Sequence, residues 1–371
     1  MISLLVTSSA VYTQDLYLVQ VASTTNASVS DFTRLLNSGI ELAFERINKS
    51  GLMKGGKLRL SLVDDQFSSK RAVEIVTRLA DDKNVLGLIG CVGTAALSDL
   101  TQSKVLQNAS LATIGPYTGV TDLLREPSVF PVRATYEAEL DKIFQQAASL
   151  NQKKLAIVWW QAGVGPALSK SAAGIAQKRG VSIAANVGYE LSVDKAILAS
   201  NIEKAVKSAN QAKPDAVLLV SSGDAAYQSV RAVRETLGMQ MPIYAISALG
   251  WRDVIHHVGI EQARGIMISQ AVPFPYSGVK TPLVRDYLED IASAKRDPDY
   301  ASLEGYLARR VVALAILKAT KPITRTTFLQ ALNSLGKIES GEFMIDYSSD
   351  KRISMKSAEI TMISSLGRLV R

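Results

Sequence analysis

The chain has 371 residues, 47% hydrophobic and 20% charged, which excludes disordered, collagen-like and coiled-coil classes and, at about 150 residues per domain, predicts two or three domains. Lys and Arg outnumber Asp and Glu by 42 to 34, a formal charge of +8. These basic residues are dispersed and form none of the compact blocks that a nucleic-acid footprint needs.

One cysteine, Cys91, cannot form an internal disulfide, and the only histidines are the neighbours His256 and His257, so a zinc site of several Cys or His ligands is excluded. A Ser-His or Cys-His pair would have to use those two residues, whose stretch Trp251-Arg-Asp-Val-Ile-His-His257 reads as solvated helix. No catalytic residue, metal site or cofactor is expected.

Residues 1–14 are uncharged, with a short apolar run and small residues at Ser8 and Ala10. They read as the remnant of an export signal whose basic segment is missing. No later segment reaches the 18 or so apolar residues of a membrane span, which predicts a soluble mature protein. Strand 16–21 follows, then a helix opened by Ser30 or Asp31, with the stripe Leu36, Ile40, Ala43, Phe44 and Ile47. Leu58, Leu60 and Leu62 alternate as a strand that runs into Asp64-Asp65, a polar strand end. A helix with Ala72, Ile75, Val76 and Leu79 leads to 85–89, apolar on both faces like a buried parallel strand. The rhythm continues with helix 95–107, strands 111–114 and 129–133, helix 137–150, strand 154–159, helix 167–179, strand 181–188, helix 195–209, strand 215–220, helix 224–237 and strand 243–246. Strands alternating with helices of this length predict βαβ units and parallel sheets. From about 266 the pattern changes to a strand, helices near 280–293, 302–319 and 325–334, and strands near 342–346 and 357–363.

In open parallel sheets ligands bind beyond the carboxyl ends of the strands. Strand 85–89 is followed by Gly90-Cys-Val-Gly-Thr94 and strand 111–114 by Gly115-Pro-Tyr-Thr-Gly119. Small residues expose backbone N–H groups, and the Thr94 and Thr118 hydroxyls add donors, a combination suited to a carboxylate; turn chemistry and helix capping are the alternative. The other informative ends are Trp160-Gln161, Ser222 to Asp224, and Ser247-Ala248. Asp224 is either an acceptor for an ammonium group or a partner of its helix dipole. Trp160 either stacks on a ligand or faces a core. The run from Gly51 to Lys57 has P-loop spacing, but Leu58 replaces the required hydroxyl residue and the run follows a helix, the reverse of the needed context.

The stretch Gly39-Ile-Glu-Leu-Ala-Phe-Glu-Arg-Ile-Asn48, the Gly-x-Val-Gly-Thr of 90–94, Val129-Phe-Pro-Val-Arg-Ala-Thr-Tyr-Glu137, Ser269-Gln-Ala-Val-Pro-Phe-Pro275 and Ser302-Leu-Glu-Gly-Tyr306 together resemble the leucine/isoleucine/valine-binding family of type I periplasmic binding proteins. The resemblance covers nearly the whole chain after residue 16. It implies an α/β fold of two doubly wound parallel-sheet lobes joined by three crossovers near 136, 271 and 341, closing on a ligand like a hinge. The lobes would be 15–136 with 272–340 and 137–271 with 341–371. It places the carboxylate at Cys91, Val92, Gly93 and Thr94 and at Tyr117, Thr118 and Gly119, with Tyr136, Trp160, Gln161, Ser222, Asp224, Ser247 and Ala248 completing the site. The family's ammonium-binding acid would follow strand 243–246, where 247–250 carries none, so Asp224 or Glu137 takes its place, or the ligand is a carboxylate without an amine, aromatic to suit Tyr117, Tyr136 and Trp160. The implied function is a monomeric periplasmic solute-binding component that delivers a small amino-acid-like or carboxylate molecule to ABC permease subunits. A periplasmic sensor feeding a signalling protein is the alternative.

Overall fold

The fold is that of a computed structural model, which describes residues 15–26, 29–276, 281–340, 343–348 and 358–371. The proposed export remnant at 1–14 lies outside the described residues. Five parallel strands build the first sheet: β1 (Leu16–Val21), β2 (Leu58–Val63), β3 (Val85–Ile89), β4 (Ala112–Ile114) and β5 (Val129–Phe130), in the order β2-β1-β3-β4-β5. β3 is buried at every position, as its apolar run on both faces requires. The second sheet uses β6 (Lys154–Trp160), β7 (Ser182–Tyr189), β8 (Ala216–Val220), β9 (Ile243–Ala245) and β10 (Met267–Gln270). A separate hairpin joins β11 (Lys337–Ser340) to β12 (Phe343–Asp346), and β13 (Glu359–Ile363) and β14 (Leu369–Val370) then extend the second sheet to the order β14-β13-β10-β9-β8-β6-β7. β13 runs antiparallel to β10, and β14 antiparallel to β13; the other pairs of this sheet are parallel.

Each sheet reverses its strand order once, between β1 and β3 in the first and between β6 and β8 in the second, which is where a doubly wound sheet leaves a crevice. Helix Ser30–Lys49 covers the first sheet through the expected stripe, with Leu36, Ile40 and Phe44 buried. It crosses helix Tyr300–Lys318 so closely that a Cβ on Gly39 would come within 1.8 Å of the Ser302 carbonyl oxygen, and that approach seats Glu304 beneath the cleft.

The helix expected over 95–107 is two, Thr94–Gln102 and Val105–Asn108, separated by Lys104 in left-handed backbone (φ +59°). The strand expected over 129–133 stops at Phe130, because Pro131 has no N–H to continue the ladder. The expected crossover near 341 falls on residues 341–342, outside the described residues. Ile345, Tyr347 and Ala358 beyond it pack in the first core and β13 lies in the second sheet, so the chain has changed side by Glu359.

Candidate functional site

A cavity of about 270 Å³ lies between the sheets at both switch points, lined by loops that leave the carboxyl ends of β3, β4, β6, β8 and β9. On the first side, Gly93 has φ +118°, a conformation that opens the 92–94 backbone at the start of helix Thr94–Gln102. The Tyr117 N–H donates to the Cys91 carbonyl (2.7 Å), which ties the two loops side by side. Thr94 Oγ1 and Thr118 Oγ1 share a hydrogen bond of 2.9 Å. Phe32 packs against Tyr117 with ring centroids 3.8 Å apart.

On the second side, Trp160 ends β6 and Ala162, Gly163 and Val164 continue the wall; Ser222 and Gly223 open helix Gly223–Leu237, and Ala248 and Gly250 precede helix Trp251–Val258. Tyr227, one turn into its helix, also lines the cavity and stacks on His257 (centroids 4.2 Å apart, planes 10° apart). The lining thus combines exposed backbone at helix N-termini, which favours anions, with a broad aromatic surface.

Of the expected residues, Val92, Gly93, Thr94, Tyr117, Tyr136, Trp160, Ser222 and Ala248 line this cavity. Six do not. Cys91 is buried among Val19, Val21 and Ile75, and burial pushes its thiol up to about 12. Thr118 is buried behind Thr94 and reaches the cavity only through the shared hydrogen bond. Gly119 seats Tyr136: its carbonyl accepts the Tyr136 N–H (2.8 Å), and a Cβ there would lie 2.9 Å from the ring. Gln161 is exposed beside β7, where its N–H donates to the Tyr189 carbonyl. Asp224 accepts a hydrogen bond from Gln228 (2.8 Å), Glu137 accepts one from Thr121, and neither is in the cavity lining. Ser247 turns into a network between the lobes.

The acids that do line the cavity are Asp65 and Asp253, accompanied by no Lys, Arg or His. Among the described residues neither carboxylate forms an ion pair. Burial pushes Asp253 above the usual carboxylate range, with Asp299 and Asp31 adding to it and His257 and His256 opposing. Burial likewise raises Asp65, against the hydrogen bond from the Phe67 N–H. Asp253 stands six residues beyond Ser247, in the first turn of a helix; an acid close to the N-terminus of that predicted helix was the only signal the sequence offered.

Below the cavity, Arg133 is wholly buried and reaches Glu139 (3.1 Å), Glu304 (3.5 Å) and the Ser247 hydroxyl (2.5 Å). Its guanidinium lies 4.4 Å from the Tyr117 ring centroid. Glu139 accepts from the Ser247 N–H and hydroxyl (both 2.7 Å) and from the Ser269 hydroxyl, and Tyr117 OH donates to the Ser247 carbonyl (3.1 Å). Burial pulls Arg133 down, but Glu304, Tyr117, Tyr136 and Glu139 more than offset it and keep it charged. Burial pushes Glu304 up to about 7 against the pull of Arg133, and pushes the Tyr136 hydroxyl up to about 12, so Tyr136 stays a neutral donor. A second cavity of about 90 Å³ separates this network from a second bridge, in which Arg252 pairs with Asp299 (2.9 Å) and donates to Tyr276 OH (3.1 Å).

No curated protein matches the chain significantly. Among solved structures, an extracellular ligand-binding receptor from Verminephrobacter eiseniae is 25% identical, with 96% of this chain and 100% of that chain covered and a TM-score of 0.83. A possible leucine/isoleucine/valine-binding protein from Rhodopirellula baltica is 20% identical, with 98% of each chain covered and a TM-score of 0.85. An ABC transporter substrate-binding protein from Desulfitobacterium hafniense, solved in complex with Leu, is 16% identical, covering 96% of this chain and 99% of that one, with a TM-score of 0.77. Residues 21–364 match the sequence model of the periplasmic binding protein family, and with two doubly wound sheets facing each other across a ligand-sized cleft, the chain belongs to the type I periplasmic binding proteins.

Proposed function

We propose that this protein is exported, captures a small amino-acid-like or carboxylate ligand between its lobes, and presents the closed complex to the permease of an ABC importer. The observation that carries the reading is the cleft itself: backbone donors and the Thr94 hydroxyl on one wall, with aromatic rings and the Asp65 and Asp253 carboxylates, neither in an ion pair among the described residues, around the rest. A ligand carboxylate would take the 92–94 backbone and the Thr94 hydroxyl, as anions do at helix N-termini. The ligand's apolar body would lie among Tyr117, Tyr136, Trp160 and Tyr227, and Asp253 would take an ammonium group. The two lobes would close by bending at the three crossings. The transporter relative solved with Leu supports an amino-acid-like ligand.

A thermal-shift screen over amino acids, short amides, and aliphatic and aromatic acids tests the proposal. A true ligand at 100 times its Kd adds about 2.7 kcal/mol and raises Tm by several degrees. The same ligand should lower the radius of gyration in solution scattering. A panel that moves neither quantity removes the basis for this reading.

A further inference from the structure

The turn after β2 carries a feature that the cleft's polar chemistry does not use. Gln66 and Phe67 both lie in left-handed backbone (φ +55° and +58°), where consecutive residues other than glycine are uncommon. Two acidic side chains hold them there. Asp64 accepts the Gln66 N–H and Asp65 accepts the Phe67 N–H, each at 2.8 Å, and Asp64 is tied back to Thr24 N–H (3.2 Å) and Thr25 Oγ1 (2.8 Å). Asp64-Asp65 is therefore more than a polar strand end: it fixes a turn the backbone alone would avoid.

The result is a phenyl ring placed against solvent's pull. Phe67 keeps 44% of its surface exposed, so core packing does not account for its position, yet it lines the main cavity, and its Cε2 would stand 3.5 Å from a Cβ built on Gly93. The ring thus lies over the middle residue of the 92–94 loop, whose N–H groups open at the start of a helix. An apolar cover there excludes water from those donors and strengthens the hydrogen bonds they make. From this geometry we infer that Phe67 is a specificity-determining lid, which shields the 92–94 loop and contacts the part of the ligand next to the group bound there. The lid rests on the receptor reading above and deepens it: the site takes acids that carry an apolar side chain on the carbon beside the carboxylate, with or without an ammonium group there, and discriminates against those whose side chain is polar.

Full-chain wild type, Phe67→Ala and Phe67→Leu are compared in two measurements. In the first, each is equilibrated with the twenty amino acids plus straight-chain and aryl monocarboxylates, separated from free compound, and the retained molecules are identified by mass spectrometry and titrated. Phe67→Ala should bind the retained compound at least tenfold more weakly, mainly through faster dissociation, and Phe67→Leu within about threefold of wild type. In the second, amide hydrogen exchange is followed in the ligand-free protein, where Phe67→Ala should speed exchange at 92–95 at least fivefold with Tm little changed. Unchanged affinity in Phe67→Ala overturns the lid while leaving the receptor intact. Unchanged exchange at 92–95 overturns it equally. If wild type retains nothing, the receptor reading falls and the specificity role falls with it, while faster exchange in the variant would still establish the cover over the loop.

Discussion

Two ionic bridges span the cleft, and they differ in almost everything but their purpose. Arg133 is fully buried, holds two carboxylates and a serine, and lies beneath Tyr117 at the foot of the cavity. Arg252 is 43% exposed, stacks on Trp251 at 4.4 Å and meets Asp299 at the outer side of the second cavity. Burial raises Asp299 even with Arg252 beside it, so that pair is not fully repaid for leaving water. A buried pair whose partners cannot reach water must stay made, whereas a half-exposed pair can exchange its partner for solvent at little cost. Arg133 is thus suited to be a fixed pivot, and Arg252 a releasable clasp.

The largest effect that separates them is loss of the buried cation. Arg133→Met should cost about 3–5 kcal/mol in urea unfolding, because Glu139 and Glu304 are left buried and unpaired; a loss near 1 kcal/mol would erase the distinction between pivot and clasp. Next is the pH response. The Glu304 carboxyl is raised from 4.5 to about 7 in the fold, so the folded chain holds more protons than the unfolded chain between those values. Stability should therefore fall as pH rises from about 4.5 to about 7, by at most on the order of 3 kcal/mol, and level off above it. Glu304→Gln should flatten that part of the Tm profile, and an unaltered slope would assign the titration elsewhere.

Smaller still is the cleft's own acid. For a ligand that carries an ammonium group, Asp253→Asn should weaken binding by about 1.5–3 kcal/mol in calorimetry, and for a ligand without one by far less. The smallest effect belongs to the clasp. Arg252→Ala should change unfolding by no more than about 1 kcal/mol, yet shift the distance distribution between spin labels on the two lobes toward open forms in the ligand-free protein. Raising salt should mimic it in the wild type and leave the Arg133 bridge unmoved.

The alternation of strands and helices was legible because periodicity reports which face of a segment is buried, as in the all-apolar runs of β3 and β8, while the division into two doubly wound sheets came from the resemblance. The loops were legible for the same reason, since a doubly wound sheet puts its crevice at known strand ends. Individual side chains were not. Cys91 and Val92 are neighbours in one loop and both are buried, yet Val92 also lines the cavity and Cys91 does not, a difference set by backbone direction that composition does not encode. Arg133 left a better trace: it is the one charge in Val129-Phe-Pro-Val-Arg-Ala134, and Glu304 stands in a helix buried at nearly every position of its first half. Charges in such settings are partnered, so each implied the other. Phe67, Tyr227 and Asp253 gave no comparable sign, because they reach the cavity from a turn or from within a helix, beyond the strand ends where a reader looks.

The pair of threonines on the first side of the cleft ties the cavity wall to the neighbouring loop. The Val120 N–H donates to Thr118 Oγ1 at 3.4 Å, and the two hydroxyls share one proton between them at 2.9 Å. Thr94 lines the cavity and Thr118 is buried behind it, so a chain of hydrogen bonds runs from the cavity wall to the backbone of the 117–120 loop. Each bond in such a chain polarises the next. A change in what the Thr94 hydroxyl meets in the cleft is therefore passed directly to the turn that leads into helix Thr121–Leu124.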